Sequence, residues 1–455
     1  MAGGEERANG RVERGIGRAA CRFRAAWAIL RAGPSREASV DGEGTLRLHI
    51  PGARFRPGDR PDFSYLRLPP AGAAPRPPVD APAIATRDLA FGLVRTLDDD
   101  GVAVGEWNPG LGADELVRGL RTMALVRAFD ERMFRAQRQG KTPFYMKCTG
   151  EEAVATAQTY ALRPDDMCFA TYRQQAILVA RGTPLDEMMG QIYANALDPT
   201  KGRQLPVMYT AKSRGYFSQS GNLATQFPQA VGWAMASAYR RDTRIASGWI
   251  GDGASAEGDF HQALVFASVH RAPVVLNLVN NQWAISSAQS VAGGEESTFA
   301  SRAIGYGIPG VRVDGNDYLA VFAASRWAAE RARSNHGPTL IEHFTYRAAP
   351  HSTSDDPARY RAGDEWERWP LGDPIARLKL HLVRAGAWDD GRHSAMLRAV
   401  EADVAEADAR AQALGVHGDG PHHDPLTMFD DVYKDMPWNL REQRDELAAL
   451  PGRAT

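Results

Sequence analysis

The sequence is short of cysteine, of net charge and of long apolar runs, and each shortage closes off a class of protein. Its 455 residues include 3 cysteines, Cys21, Cys148 and Cys168, with no CxxC pair among them. Thiols so placed cannot build a disulfide framework or a structural zinc site, which points to a reducing compartment. Lys and Arg total 54 against 55 Asp and Glu, a formal net charge of -1. A nucleic-acid binder would carry a basic footprint, and a polybasic membrane surface is excluded on the same ground. No window approaches the roughly 18 uninterrupted apolar residues of a membrane span. What is present is the balance of a globular chain with a large core, 44% hydrophobic and 24% charged. At roughly 150 residues per domain the length suits two or three units. The expectation is an intracellular enzyme, or a subunit of one.

Residues 1–45 are rich in Arg, Ala and Gly without hydrophobic periodicity and are expected to be a disordered extension. A transit peptide is the other reading, but Glu5, Glu6, Glu13 and Glu37 count against it. Residues 46–111 are proline-rich and are expected to lie extended over a domain or a partner, since proline fixes φ and cannot donate to a ladder. From 112 the pattern alternates. A helix is predicted over 112–139, with Leu116, Leu120, Met123, Val126, Phe129 and Met133 at helical spacing. Short apolar strands are predicted at 243–250, 274–279 and 339–344, with helical stretches between them. The fold class is therefore α/β, a parallel sheet with helices on both faces over 112–372. A helical C-terminal tail over 373–455 includes a helix at 390–413.

The most informative segment is 243–283. A strand runs into Gly251-Asp252-Gly253, a helix follows, and the next strand runs into Asn280-Asn281, with 26 residues between Gly253 and Asn280. Both strands of a βαβ unit point the same way, so Asp252 and Asn281 emerge at one carboxyl edge, where open α/β folds bind ligands. Gly251 and Gly253 allow close approach to a phosphate, and the next helix offers N-terminal N–H groups. One carboxylate, one amide oxygen and a backbone carbonyl beyond them make an oxygen-only set suited to magnesium. A lone GDG reads as a tight turn. A dinucleotide fingerprint needs G-x-G-x-x-G, and GDGASAEG sets its third glycine too far out. The paired spacing looks instead like a magnesium–thiamine diphosphate motif.

With the motif in view, the chain resembles the alpha subunits of the decarboxylating component of bacterial branched-chain 2-oxoacid dehydrogenase complexes. FSYLRLPPAG (63–72), MCFATYRQQAILVARG (167–182), KGRQLPVMY (201–209), SGNLATQFPQAVGWAMASA (220–238) and TYRAAPHSTSDDPARY (345–360) carry the likeness, which spans 46–455. The resemblance implies a thiamine diphosphate-binding fold. It implies that Asp252, Asn281 and the Trp283 carbonyl bind Mg2+, and that Tyr172, Arg173, Gly251, Gly253, Ala254 and His351 contact the cofactor. His351 is implied to be catalytic, and Ser352 matches a serine that mitochondrial relatives phosphorylate. Ser220, Thr225 and Gln226, with the Asn222 carbonyl, match a K+ site, although the same residues would serve a capping turn before a helix at 224–238. Pro350, Val279, Gly221 and Asn222 depart from the mitochondrial pattern.

The implied activity is oxidative decarboxylation of a small branched-chain 2-oxoacid with acyl transfer to lipoamide. Implied partners are a beta subunit in an α2β2 heterotetramer and a lipoyl-bearing dihydrolipoyl acyltransferase core. The implied setting is the bacterial cytoplasm, or the mitochondrial matrix if residues 1–45 are a transit peptide. A pyruvate or acetoin dehydrogenase alpha subunit is the close alternative, and a non-catalytic scaffold retaining the fold is the distant one. The 348–363 loop, with few apolar anchors, is expected to become ordered when the diphosphate binds.

Overall fold

The structure, a computed structural model, describes residues 48–450 apart from 294–295, 418 and 420–422. The expected extension at 1–45 lies outside the described residues. Met1–Gly52 and Ala53–Thr455 divide as two units; of the first, residues 48–52 are described and carry no helix or strand.

The second unit is built on five parallel strands: β1 (Met167–Phe169), β2 (Ala246–Gly251), β3 (Val274–Asn280), β6 (Gly310–Asp314) and β7 (Thr339–Phe344). A small antiparallel hairpin, β4 (Trp283–Ala284) with β5 (Ser287–Ala288), follows β3. The sheet order is β1-β2-β3-β7-β6. Every residue of β3 is buried, the signature of a central parallel strand covered on both faces. The two-residue period divides these side chains between two cores. Val275 and Val279 join the core formed with helices Ala113–Arg138, Glu152–Ala161 and Tyr318–Arg333. Val274, Leu276 and Leu278 join the core under helices Gln226–Tyr239 and Gly258–Val269. Helices thus cover both faces, as the alternation predicts.

The helix predicted at 112–139 is Ala113–Arg138, and its six periodic apolar residues are all buried. The strands predicted at 243–250, 274–279 and 339–344 agree with β2, β3 and β7 to within a few residues. Besides the short hairpin, two strands of the parallel sheet escape sequence reading. β1 is three residues long, and β6 (GVRVD) carries Arg312 in its middle. That arginine is accommodated because its neighbour in register on β7 is Glu342, 3.2 Å from its Nε. Helix Asp390–Gln412 packs on Ala113–Arg138 and Leu185–Tyr193.

The proline-rich stretch is bound to the domain through its carbonyls. A chain short of N–H groups still carries acceptors, and side chains supply the donors. Trp107 Nε1 donates to Pro75 O (3.2 Å), Trp327 Nε1 to Pro77 O (2.9 Å), and Arg331 to Val79 O and Ala81 O (2.6 and 2.8 Å). A little further on, buried Asp317 accepts the Thr96 and Leu97 N–H groups at 2.7 and 2.6 Å. It also caps the helix at Leu319 and Ala320.

The strands carry a buried polar cluster. Asn277 donates to Ser247 Oγ and Gly248 O, its Oδ1 meets Gln158 Nε2 and His343 Nε2, and His343 stacks on Trp249 at 5.5 Å. Complete burial pushes the His343 pKa down to about 3. The unfolded chain takes up this proton near pH 6.5, whereas the fold refuses it until about pH 3. Stability from this group is therefore complete above pH 6.5 and is lost as pH falls, at up to about 1.4 kcal/mol per pH unit. Between pH 6.5 and 5.5 the wild type should lose on the order of 1 kcal/mol more than His343→Gln, read from urea midpoints. Equal losses would contradict this account.

Candidate active site

The register of β2 and β3 sets the geometry. Gly251 pairs with Val279, so the residues that follow each strand leave the same edge, and the Asp252 N–H extends the ladder to Val279 O at 3.1 Å. Asp252 and Asn281 line one cavity of about 300 Å3, together with Tyr172, Arg173, Gly253 and His351. Gly251, Ala254 and Trp283 line it too, as do Ser220, Asn222 and Gln226. Of the residues expected from sequence to bind cofactor or ion, Thr225 alone stands off the cavity wall; Ser352, for which no such role is expected, is off it as well.

The turn after β2 differs from expectation in one respect. The helix does not start at once: a 3-10 turn, Gly253–Ala256, intervenes, and the helix begins at Gly258. The cause is local. Asp252 Oδ1 accepts the Gly253 N–H at 2.8 Å and Ser255 Oγ donates to Asp252 O at 2.6 Å, which tightens the chain. Glycine is required at 253, where a Cβ would lie 2.5 Å from Ala284 Cβ.

These bonds leave Asp252 Oδ2 buried without a hydrogen-bond partner among the described residues. Burial pushes its pKa up to about 6. An unpaired buried carboxylate oxygen is costly, and a cation beside it would relieve that cost. Asn281 Oδ1 lies near the Trp283 N–H at 3.3 Å. The Trp283 carbonyl accepts from Arg347 Nη1 at 2.8 Å, which leaves its second lone pair. Carboxylate, amide and carbonyl oxygens form a set that could hold magnesium while leaving positions for phosphate oxygens and water.

Two guanidiniums, of Arg173 and Arg347, meet at His351. Arg173 donates to Lys147 O (2.5 Å), to His351 O (2.7 Å) and to His351 Nδ1 (2.9 Å). Arg347 Nη1 lies 3.4 Å from the same Nδ1. Burial, reinforced by Arg173, pushes the Arg347 pKa down to about 10. Two guanidiniums that meet at one ring nitrogen would gain from an added anionic partner, and a diphosphate would supply one.

The same contacts settle the state of His351. Burial, then Arg173 and Arg347, push its pKa down to about 3. Arginine only donates, so Nδ1 must accept and the single ring proton sits on Nε2. Tyr172 packs edge-on against this ring at 5.8 Å. The loop is anchored by polar contacts where apolar ones are few. His351 N donates to Asp355 Oδ2 (2.7 Å), Tyr360 OH to the same oxygen (2.6 Å), and Thr353 N to Tyr145 O (3.0 Å). Ser352 is buried beside His351.

At the cavity mouth, 220–226 form the turn before helix Gln226–Tyr239. Thr225 Oγ1 donates to Asn222 O (3.0 Å), Asn222 N to Ser220 Oγ (3.2 Å) and Gln226 Nε2 to Ser220 O (3.0 Å). Gln226 Oε1 is buried and has no partner among the described residues. The turn therefore closes on itself and keeps one spare oxygen.

Two residues of the site escaped sequence reading, Glu151 on the cavity wall and Arg347 against His351. Arg347 stands four positions before His351, inside the quoted TYRAAPH run. Glu151 accepts from Asn281 Nδ2 at 2.8 Å, and burial, offset partly by Arg173, pushes its pKa up to about 7. The available signal was the pair Glu151-Glu152 leading into an Ala-rich buried helix, a place where acids are rare unless partnered.

The family model for the dehydrogenase E1 component matches residues 120–418, and that for the 2-oxoisovalerate dehydrogenase E1 alpha subunit N terminal matches residues 44–84. The 2-oxoisovalerate dehydrogenase subunit alpha of Pseudomonas aeruginosa is 60% identical over 402 residues, which cover 88% of this chain and 98% of the relative. The mitochondrial 2-oxoisovalerate dehydrogenase subunit alpha of Mus musculus is 38% identical over 358 residues, 78% of this chain and 79% of the relative. Its counterpart alpha 1 in Arabidopsis thaliana is 38% identical over 364 residues, 78% and 74%. The chain belongs to the dehydrogenase E1 component family.

Proposed function

We propose that this chain is the alpha subunit of a thiamine diphosphate-dependent 2-oxoisovalerate dehydrogenase, which decarboxylates branched-chain 2-oxoacids oxidatively and passes the acyl group to lipoamide. The observation that carries the reading is the unpartnered, buried Asp252 Oδ2 on a cavity that Arg173 and His351 also line, with Arg347 behind His351. A cation and an anion are both called for, and a magnesium diphosphate is both. Identity of 60% to the bacterial subunit and 37–38% to mitochondrial ones supports the branched-chain substrate class and favours the bacterial cytoplasm over the mitochondrial matrix.

Thiamine diphosphate, when bound, supplies the nucleophile and electron sink for decarboxylation. This chain's residues supply part of the rest. Asp252, Asn281 and the Trp283 carbonyl hold magnesium, and Arg173 with the Gly253–Ala254 backbone holds the diphosphate. His351 keeps Nδ1 tied to Arg173 and offers Nε2–H as a neutral donor to a developing oxyanion. Among the described residues, Glu151 and Asp252 are the carboxylates on the cavity wall. One holds the metal and the other holds Asn281, so neither is free to activate the cofactor's aminopyrimidine. That shortage supports a second, beta chain completing the site in an α2β2 assembly, with a lipoyl-bearing dihydrolipoyl acyltransferase as acyl acceptor. The 220–226 turn takes a potassium ion in this reading, through Gln226 Oε1 and its neighbours.

Thiamine diphosphate with magnesium, at about 100 times their Kd, should stabilise the alpha–beta pair by about 2.7 kcal/mol, a rise of a few degrees in Tm. Asp252→Ala should abolish the shift, and exchanging potassium for sodium should shrink it. A shift that survives in Asp252→Ala would remove the metal from this position.

Steady-state turnover by the coexpressed pair should favour 2-oxoisovalerate over pyruvate by at least about tenfold in kcat/KM. A pocket shaped for the added methyl groups gains about 1–3 kcal/mol per group. A preference for pyruvate would overturn the branched-chain reading.

A further inference from the structure

Asn281 carries an amide with two unlike ends, and only the oxygen can serve a cation. Its Nδ2 lies 2.8 Å from Glu151 Oε1, while Oδ1 lies on the side of the Trp283 N–H at 3.3 Å. Turning the amide over would press its oxygen against a carboxylate and its NH2 against an N–H. Both contacts would become repulsive, so the orientation is decided by the acid.

That acid is itself held. The Glu151 N–H donates to Cys148 O at 2.8 Å, and the preceding Gly150 sits at φ +96, where a Cβ would come within 2.3 Å of Tyr346 O. Glu152, next in line, accepts from the Gly150 N–H at 2.9 Å and from Arg127 Nε at 2.7 Å. On the other side of the contact, Asn281 O accepts the Arg347 N–H at 3.1 Å, and Thr149 O accepts the Ala348 N–H at 3.0 Å. The main chain on both sides is pinned to the same stretch, 345–348, which fixes the distance between the carboxylate's backbone and that of the amide.

We propose that Glu151 is a positioning residue for the divalent cation: by occupying Asn281 Nδ2 it commits Asn281 Oδ1 to the metal. The proposal rests on the reading of Asn281 as a magnesium ligand given above. Partners behind a ligand typically tune metal affinity 10–100-fold.

The test is calorimetric titration of magnesium into the alpha–beta pair with thiamine diphosphate saturating. Glu151→Ala should raise the magnesium Kd about 10–100-fold. Asn281→Asp alone should also weaken binding, because it sets two carboxylates face to face. The double variant, Glu151→Ala with Asn281→Asp, should recover most of the lost affinity, since an aspartate presents oxygen whichever way it turns. A purely structural role for Glu151 predicts no such recovery. An unchanged Kd in Glu151→Ala, or a double variant no better than Glu151→Ala, would overturn the proposal. Failure of the cofactor reading would be distinguishable: the wild type itself would bind no magnesium.

Discussion

The site depends on one constraint, the parallel register that sets Gly251 beside Val279. Because β2 and β3 run the same way and end together, a carboxylate and an amide 29 positions apart in the chain are delivered to a common edge. A slip of one residue would turn Asp252 toward a different face. The register is enforced by burial on both sides of the sheet, where Val275 and Val279 fill one core and Leu276 and Leu278 the other. Catalytic geometry at the edge is thus a by-product of hydrophobic packing several residues away.

At that edge the chain tolerates an electrostatic arrangement that would be unfavourable anywhere else. Burial raises Asp252 and lowers Arg347 and His351, each away from its charged form. These are costs accepted in the free protein and offset when oppositely charged ligand groups arrive. Arg173 is the hinge of the arrangement, since one guanidinium both faces the cavity and fixes which nitrogen of His351 carries the proton.

Much of this was legible in the sequence, for reasons that can be named. The strand-GDG and strand-NN pairing is a local pattern with a fixed spacing, and periodicity recovered helix Ala113–Arg138 almost to the residue. What stayed hidden was hidden by tertiary compensation. β6 looks unlike a strand until Glu342 is brought opposite Arg312, and β1 is too short to show a period. Glu151 and Arg347 look like ordinary surface charges because their partners, Asn281 and the Trp283 carbonyl, are distant in sequence. The immediate helix after GDG was misjudged because Asp252 bonds to its own turn.

The proline-rich stretch has a consequence for where this domain begins. Its carbonyls at Pro75, Pro77, Val79 and Ala81 are the acceptors that satisfy Trp107, Trp327 and Arg331, two of them on the helix that backs the sheet. The dehydrogenase E1 match starts at residue 120, yet a chain cut there would leave the buried Trp327 indole N–H and Arg331 Nη1 without the carbonyls that receive them. The unit of inheritance and the unit of folding therefore have different edges, and the folding edge lies ahead of Pro75.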